Sequence, residues 1–138
     1  MKPILVDTGV LVALLDRGDT EHRRCVIALK DLRAPLLTSW PVVTETMYLL
    51  GDVHGAQDAL LRWIEARAPG VEDLGVEDIP SVRAMMRKYR DVPMDFADAS
   101  LVSLAQRLGI DIVFTLDRDF DTYRLDGRRR FRTIPSTP

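Results

Sequence analysis

Hydrophobic positions along the chain fall into two alternating patterns. Short apolar runs at Pro3–Val6, Leu36–Thr38 and Ile112–Phe114 have the length of buried strands. Between them apolar residues recur at helical spacing. Leu11, Val12, Leu14 and Leu15 mark a helix over Gly9–Asp16, and Cys25, Val26, Leu29 and Leu32 mark one from Thr20, its expected N-cap, to about Arg33. Ser39 and Pro41 open a third helix, which carries Val42, Val43, Met47, Leu49 and Leu50 toward Gly51. Ala56, Ala59, Leu60, Trp63 and Ile64 line one face of Gly55–Arg67. Asp78 is placed to cap a helix striped by Ile79, Val82, Met85, Met86 and Tyr89. A last helix opens at Asp95 behind Pro93 and ends at Gly109. Weaker strands are expected at Val71–Leu74 and Phe131–Ile134, a turn at Pro69-Gly70, and a short helical turn at Asp119–Tyr123. Alternation of this kind predicts an α/β fold with a parallel sheet covered on both faces and right-handed crossovers.

The chemistry sits where the strands end. Asp7 closes the first strand, and Asp117 and Asp119 follow the strand Ile112–Phe114. In an open α/β sheet, ligands collect beyond the carboxyl ends of strands. Asp95 and Asp98 are three apart and share one face of a helix's first turn. Glu45 lies among apolar helix residues, and a half-buried carboxylate calls for a partner or a metal. Carboxylates that converge repel one another, and a divalent cation relieves them.

Composition narrows the classes. A chain of 138 residues, 46% hydrophobic and 29% charged, is expected to be one domain over 1–138, with 135–138 as a tail. The single cysteine, Cys25, allows no internal disulfide and suits a reducing, cytoplasmic setting. No apolar run approaches a membrane span, and the start enters a strand directly, so neither a membrane nor a signal peptide is expected. A net charge of −2 gives no global attraction to nucleic acid. The basic residues are nonetheless clustered, as Arg83, Arg87, Lys88 and Arg90, and as Arg124, Arg128, Arg129, Arg130 and Arg132. Basic patches beside an acidic pocket suit a phosphodiesterase, with cations on the backbone and acids on an ion. The plainer reading of the same arginines is a solvated helix face and a loop.

Four segments in order, VDTGVLVALLD, VVTETMYLL, FADASLVSLAQRLG and FTLDRDF, resemble the motifs of the PIN domain, a metal-dependent ribonuclease fold, and within it the VapC-like toxins of toxin–antitoxin pairs. The resemblance spans nearly the whole chain. It implies a three-layer α/β/α fold around a five-stranded parallel sheet, with the first and fourth strands adjacent. It further implies an acidic ring of Asp7, Glu45, Asp98 and Asp117 as metal ligands and catalytic groups, with Thr8 and Thr115 in support and Asp95 and Asp119 close by. Mg2+, with Mn2+ as an alternative, is the implied cofactor. RNA is the implied substrate, a short antitoxin protein and a second copy of the chain are the implied partners, and Met47, Tyr48 and Trp63 are candidates for the apolar contact surface. The rival readings are a housekeeping RNA-processing nuclease and an inactive PIN-like binding module.

Several residues carry a simpler reading beside the functional one. Asp95 is favoured as an N-cap, Asp98 has the bland role of a first-turn acid complementing the helix dipole, and Asp119 is favoured as the cap of the turn that follows it. Asp16 reads as a solvated helix end. His22 and His54 are expected at the surface, since no cluster of His and Cys suggests zinc. Trp40, Trp63 and the methionines are expected in the core or at a subunit contact rather than as stacking platforms for bases. A dehalogenase-type phosphatase needs an Asp where Gly9 stands, a P-loop needs a glycine-rich turn with Lys, and a receiver domain needs a late Lys at a strand end. None of these is present.

Overall fold

A computed structural model describes residues 1–136; the remainder of the expected tail, 137–138, lies outside the described residues. The elements are β1 (Ile4–Val6), α1 (Thr8–Leu15), α2 (His22–Asp31), β2 (Leu36–Ser39), α3 (Trp40–Leu49), α4 (Ala56–Glu65) and β3 (Gly70–Glu72). There follow α5 (Ile79–Lys88), α6 (Phe96–Leu108), β4 (Ile112–Phe114), β5 (Arg124–Leu125), β6 (Arg129–Arg130) and β7 (Arg132–Ile134). Five strands form one sheet in the order β3-β2-β1-β4-β7, every neighbouring pair parallel. Helices cover both faces, which gives the three-layer α/β/α architecture expected from the sequence.

The strand order sets the position of everything else. The chain leaves β1 toward β2 and β3 on one side, then crosses back to β4 and β7 on the other. The order therefore reverses between β1 and β4, and a crevice opens beyond their carboxyl ends. Every residue of β1 is buried, as a central parallel strand requires. Its ladder with β4 pairs Val6 with Phe114 and runs one residue further, through the Asp7 N–H to the Phe114 carbonyl at 3.0 Å. Asp7 and Thr115 thus leave the sheet side by side.

α6 is buried on all sides from Ala97 to Ala105, which explains its apolar and small composition. It packs against α3, α5, β2 and β5. The Asp95 carboxylate caps it by accepting from the Asp98 N–H at 2.8 Å, and Gly109 closes it with φ 68°. The start of α3 is held to α6 by two buried hydroxyls. Ser39 donates to Ser100, 2.6 Å away, which in turn donates to the Ala97 carbonyl at 2.7 Å. On the other flank, Cys25 of α2 is fully buried in the main apolar cluster.

Several expectations are corrected. Thr20 does not cap α2; the helix begins at His22 behind Glu21, without a side-chain cap. His22 is half-buried rather than a free surface residue, because its Nδ1 pairs with the Ala13 carbonyl at 2.6 Å and ties α2 to α1. Asp78 holds the N-cap position of α5 as expected, but its carboxylate accepts from the Gly75 N–H at 2.9 Å, closing a short 3-10 turn, and makes no cap bond to that helix. The third strand starts at Gly70, which was expected in a turn. The basic segment expected as loop contains the antiparallel hairpin β5–β6, pairing Arg124 with Arg130 and Leu125 with Arg129. Phe131 falls outside β7 and is buried against Phe120, ring centroids 5.9 Å apart. Trp40 is 46% exposed and so is not a core residue.

Candidate metal centre

Three carboxylates meet in the crevice between β1 and β4. One oxygen each from Asp7, Asp98 and Asp117 lies within 4.8 Å of the others. Each is delivered by a different element. Asp7 ends β1 and N-caps α1, Asp98 stands in the buried first turn of α6, and Asp117 caps the 3-10 turn Arg118–Asp121 that follows β4.

The hydrogen bonds fix these groups and leave specific oxygens free. Asp7 accepts from the Thr8 N–H at 2.8 Å on Oδ1 and from the Thr115 hydroxyl at 2.9 Å on Oδ2. The Thr115 hydroxyl accepts from the Asp117 N–H at 2.9 Å, so one side chain sets the spacing of two acids. Asp117 Oδ1 accepts from the Asp119 N–H at 2.9 Å. Asp98 Oδ2 accepts from the Tyr123 hydroxyl at 2.8 Å. Asp98 Oδ1 and Asp117 Oδ2 have no bond among the described residues.

The electrostatics of the cluster are unbalanced. Among the described residues, no Lys or Arg forms an ion pair with these acids. Burial, and then the charges of Asp117 and Glu45, push the Asp7 carboxyl up to about 6 against two stabilising hydrogen bonds. Burial first and the Asp7 charge second push Asp98 up to about 8. Burial and the neighbouring Asp117 also raise Asp119. The Tyr123 hydroxyl is raised by burial and by its bond to Asp98, so it stays a donor. The Thr8 hydroxyl, beside Asp7, is buried with no hydrogen-bond partner among the described residues. Free oxygens, uncompensated charge and an orphaned hydroxyl together fit a hard divalent cation with oxygen ligands and waters.

The other expected site residues take distinct places. Glu45 is half-buried on α3 and acts on the Asp7 charge, but it stands outside the three-acid group. It lines a shallow groove between α3 and α6 with Trp40, Pro41, Asp95 and Phe96. Asp95 serves as the α6 cap. Asp119 does not cap the turn; Asp117 supplies that cap, and Asp119 contributes the N–H that it holds. Of the apolar contact candidates, Tyr48 is 85% exposed, Met47 is half-buried, and Trp63 packs against the core. Sequence reasoning missed Tyr123, because its bond to Asp98 spans 25 residues and leaves no local pattern. It also passed over Arg24 and Arg118, which share a polar cleft with Thr115, Asp117, Asp121 and Thr133. Arg118, lying between two acids in the sequence, was the available signal.

A parallel sheet whose order reverses over a crevice where three acids converge defines an α/β protein with an acidic site at the strand ends. Residues 4–125 match the family model of the PIN domain, and the chain belongs to that family. It is 31% identical to Ribonuclease VapC26 of Mycobacterium tuberculosis over 135 residues, covering 96% of this chain and 100% of that one. Among solved structures it resembles Mycobacterium tuberculosis VapC20, described as a sarcin-ricin loop cleaving toxin, with TM-score 0.79 and 23% identity over 86% of this chain and 93% of the other. A toxin–antitoxin complex from Klebsiella pneumoniae shares the fold with TM-score 0.62 and 19% identity, covering 83% of this chain and 87% of that one.

Proposed function

We propose that this protein is a metal-dependent endoribonuclease, one PIN domain over 1–138, acting as the toxin of a toxin–antitoxin pair. The observation that carries the reading is the convergence of Asp7, Asp98 and Asp117, with no Lys or Arg paired to them among the described residues. The kinship with Ribonuclease VapC26 supports RNA as the substrate. The toxin–antitoxin neighbour supports a small protein antitoxin, and exposed Tyr48 and Leu49 on α3 offer apolar surface for that partner or a second copy in a homodimer. No helix among the described residues is long and apolar enough to cross a membrane, and the RNA substrate makes the cytoplasm the working compartment.

Mg2+, replaceable by Mn2+, suits the all-oxygen donor set. When bound, the ion polarises a phosphoryl oxygen and supplies a water of lowered pKa. Asp7, Asp98 and Asp117 would hold it. Thr115 keeps Asp7 and Asp117 at fixed spacing, and Tyr123 prevents Asp98 from turning away. Glu45, outside the trio, orients the attacking water and takes its proton on the carboxylate. The Thr8 hydroxyl holds a water against Asp7. Arg24 and Arg118 border the cleft beside Asp117 and receive the flanking phosphates of the strand.

Purified protein is incubated with RNA in Mg2+, in Mn2+ and in EDTA, beside Asp98→Asn. Cleavage that needs the metal and is lost in the variant is expected. Cleavage that survives both EDTA and the substitution would refute the acidic centre as its source.

A further inference from the structure

The two basic clusters, separated in sequence by more than 30 residues, meet in the fold. Arg83, Arg87 and Arg90 follow one another at helical spacing along α5 and its C-terminal turn, and all are exposed. Lys88, also exposed, lies 4.0 Å from where a Cβ on Gly127 would stand, at the tip of the β5–β6 hairpin. That hairpin exposes Arg128, Arg129 and Arg130. The join is made by two buried tyrosines, each next in sequence to one cluster. Tyr89 follows Lys88 and Tyr123 precedes Arg124; their rings meet edge to face at 5.1 Å, and the Tyr89 hydroxyl accepts from the Arg124 N–H at 3.1 Å. Tyr123 is the residue that donates to Asp98. The basic face is therefore anchored one hydrogen bond from the acidic centre.

Three properties identify what this face takes. Its charge is mostly free: among the described residues the ion pair on it is Arg129 with Asp126 at 3.0 Å and Lys88 sits 5.2 Å over the Tyr89 ring, which leaves Arg87, Arg90, Arg128 and Arg130 without a charge partner. Among the described residues it offers no aromatic platform, since both tyrosines are buried, the exposed rings of Trp40 and Phe96 stand at the α3–α6 groove, and exposed Tyr48 lies on α3. Single strands are gripped by stacking on exposed aromatics, whereas a double-helical stem presents phosphates and is held by charge. Finally, the hairpin tip and β6 lie beyond residue 125, where the match to the PIN family model ends.

We propose that the joined face of α5 and the β5–β6 hairpin binds the phosphate backbone of a double-helical RNA stem, presenting an adjoining segment to the acids. This rests on the ribonuclease reading above.

The test is binding of a labelled synthetic RNA stem-loop, and of an unpaired oligonucleotide of equal length, measured by fluorescence anisotropy in EDTA over a salt series. The proteins are the wild type, a variant carrying Arg128→Gln, Arg129→Gln and Arg130→Gln, and its counterpart with Lys at the same positions. The Gln variant is expected to bind the stem-loop about a hundredfold more weakly near 0.1 M salt, with the log–log salt slope reduced by about 0.9 per lost contact. The Lys variant should retain most of the affinity, and all variants should keep the wild-type melting temperature. Unchanged stem-loop affinity, or equal losses for stem-loop and unpaired RNA, would overturn the proposal. So would a loss confined to binding of an acidic protein partner. If the wild type cuts no RNA with metal while stem-loop binding still depends on the arginines, the nuclease reading fails and the stem-binding face stands.

Discussion

The acidic end of β1 and β4 and the basic hairpin β5–β6 handle like charges in opposite ways. At the acidic end, buried Asp7 and Asp98 and half-buried Asp117 are brought together from distant segments, each fixed by at least one hydrogen bond. In the hairpin, four arginines lie within seven residues, and three of them point into water. Water screens the hairpin charges, so their mutual repulsion is small. The buried acids lack that screening, so they store repulsion that a bound cation releases. Crowding of buried charges costs stability, while crowding of exposed charges costs little.

The sharpest way to break this contrast is Asp98→Asn. It replaces one carboxylate oxygen with an amide nitrogen and removes the negative charge proposed to hold the ion, so RNA cleavage should fall by several kcal/mol of transition-state stabilisation, on the order of a thousandfold, in a metal-dependent assay. Next comes Tyr123→Phe. The ring contacts with Tyr89 and Phe120 remain, but Asp98 loses its donor, so metal affinity measured by calorimetry should drop about 10- to 100-fold with little change in fold.

The burial of these acids, and after it their mutual repulsion, also has a pH signature. Asp7 and Asp98 bind a proton more tightly folded than unfolded, since folding lifts them from 3.8 to about 6 and about 8. Through that window the folded state holds more protons, so the metal-free protein loses stability as pH rises from about 4 to about 8. Thermal melts in EDTA should show the decline, Mg2+ should raise the melting temperature more at the upper end, and Asp98→Asn should flatten the slope. The smallest effect belongs to the hairpin. Arg129→Ala breaks an exposed pair with Asp126, and its change in unfolding free energy by denaturant titration should stay within about 0.5 kcal/mol.

The same contrast governs what could be read from the chain beforehand. β4 and the limits of α6 were legible to the residue, because an apolar run, an Asp cap and a Gly stop act locally. The acids at strand ends were visible because topology makes that edge a binding place. The hairpin was missed because Leu125 is its lone buried apolar residue, so no period-two pattern appears. Its turn was nevertheless announced: Asp126-Gly127 is a strong hairpin dipeptide, and both take left-handed backbone, φ 54° and 73°. Glu45 looked equivalent to the other acids, because apolar neighbours in a helix do not tell which flank of the pocket a side chain occupies. Tyr123, Ser39 and Ser100 act through bonds that exist only once distant segments have packed.

Cys25 gives the molecule an internal clock. It is the sole thiol in the sequence, sits on α2 with no exposed surface, and has its ionisation pushed up to about 11 by burial and then by Glu21. A thiol reagent therefore finds a target only when α2 lifts, and each molecule can be counted once. Labelling that keeps pace with global unfolding would place α2 inside the cooperative unit. Labelling that runs ahead of it would time a private opening of that flank, which also carries Arg24 on the rim of the cleft beside Asp117.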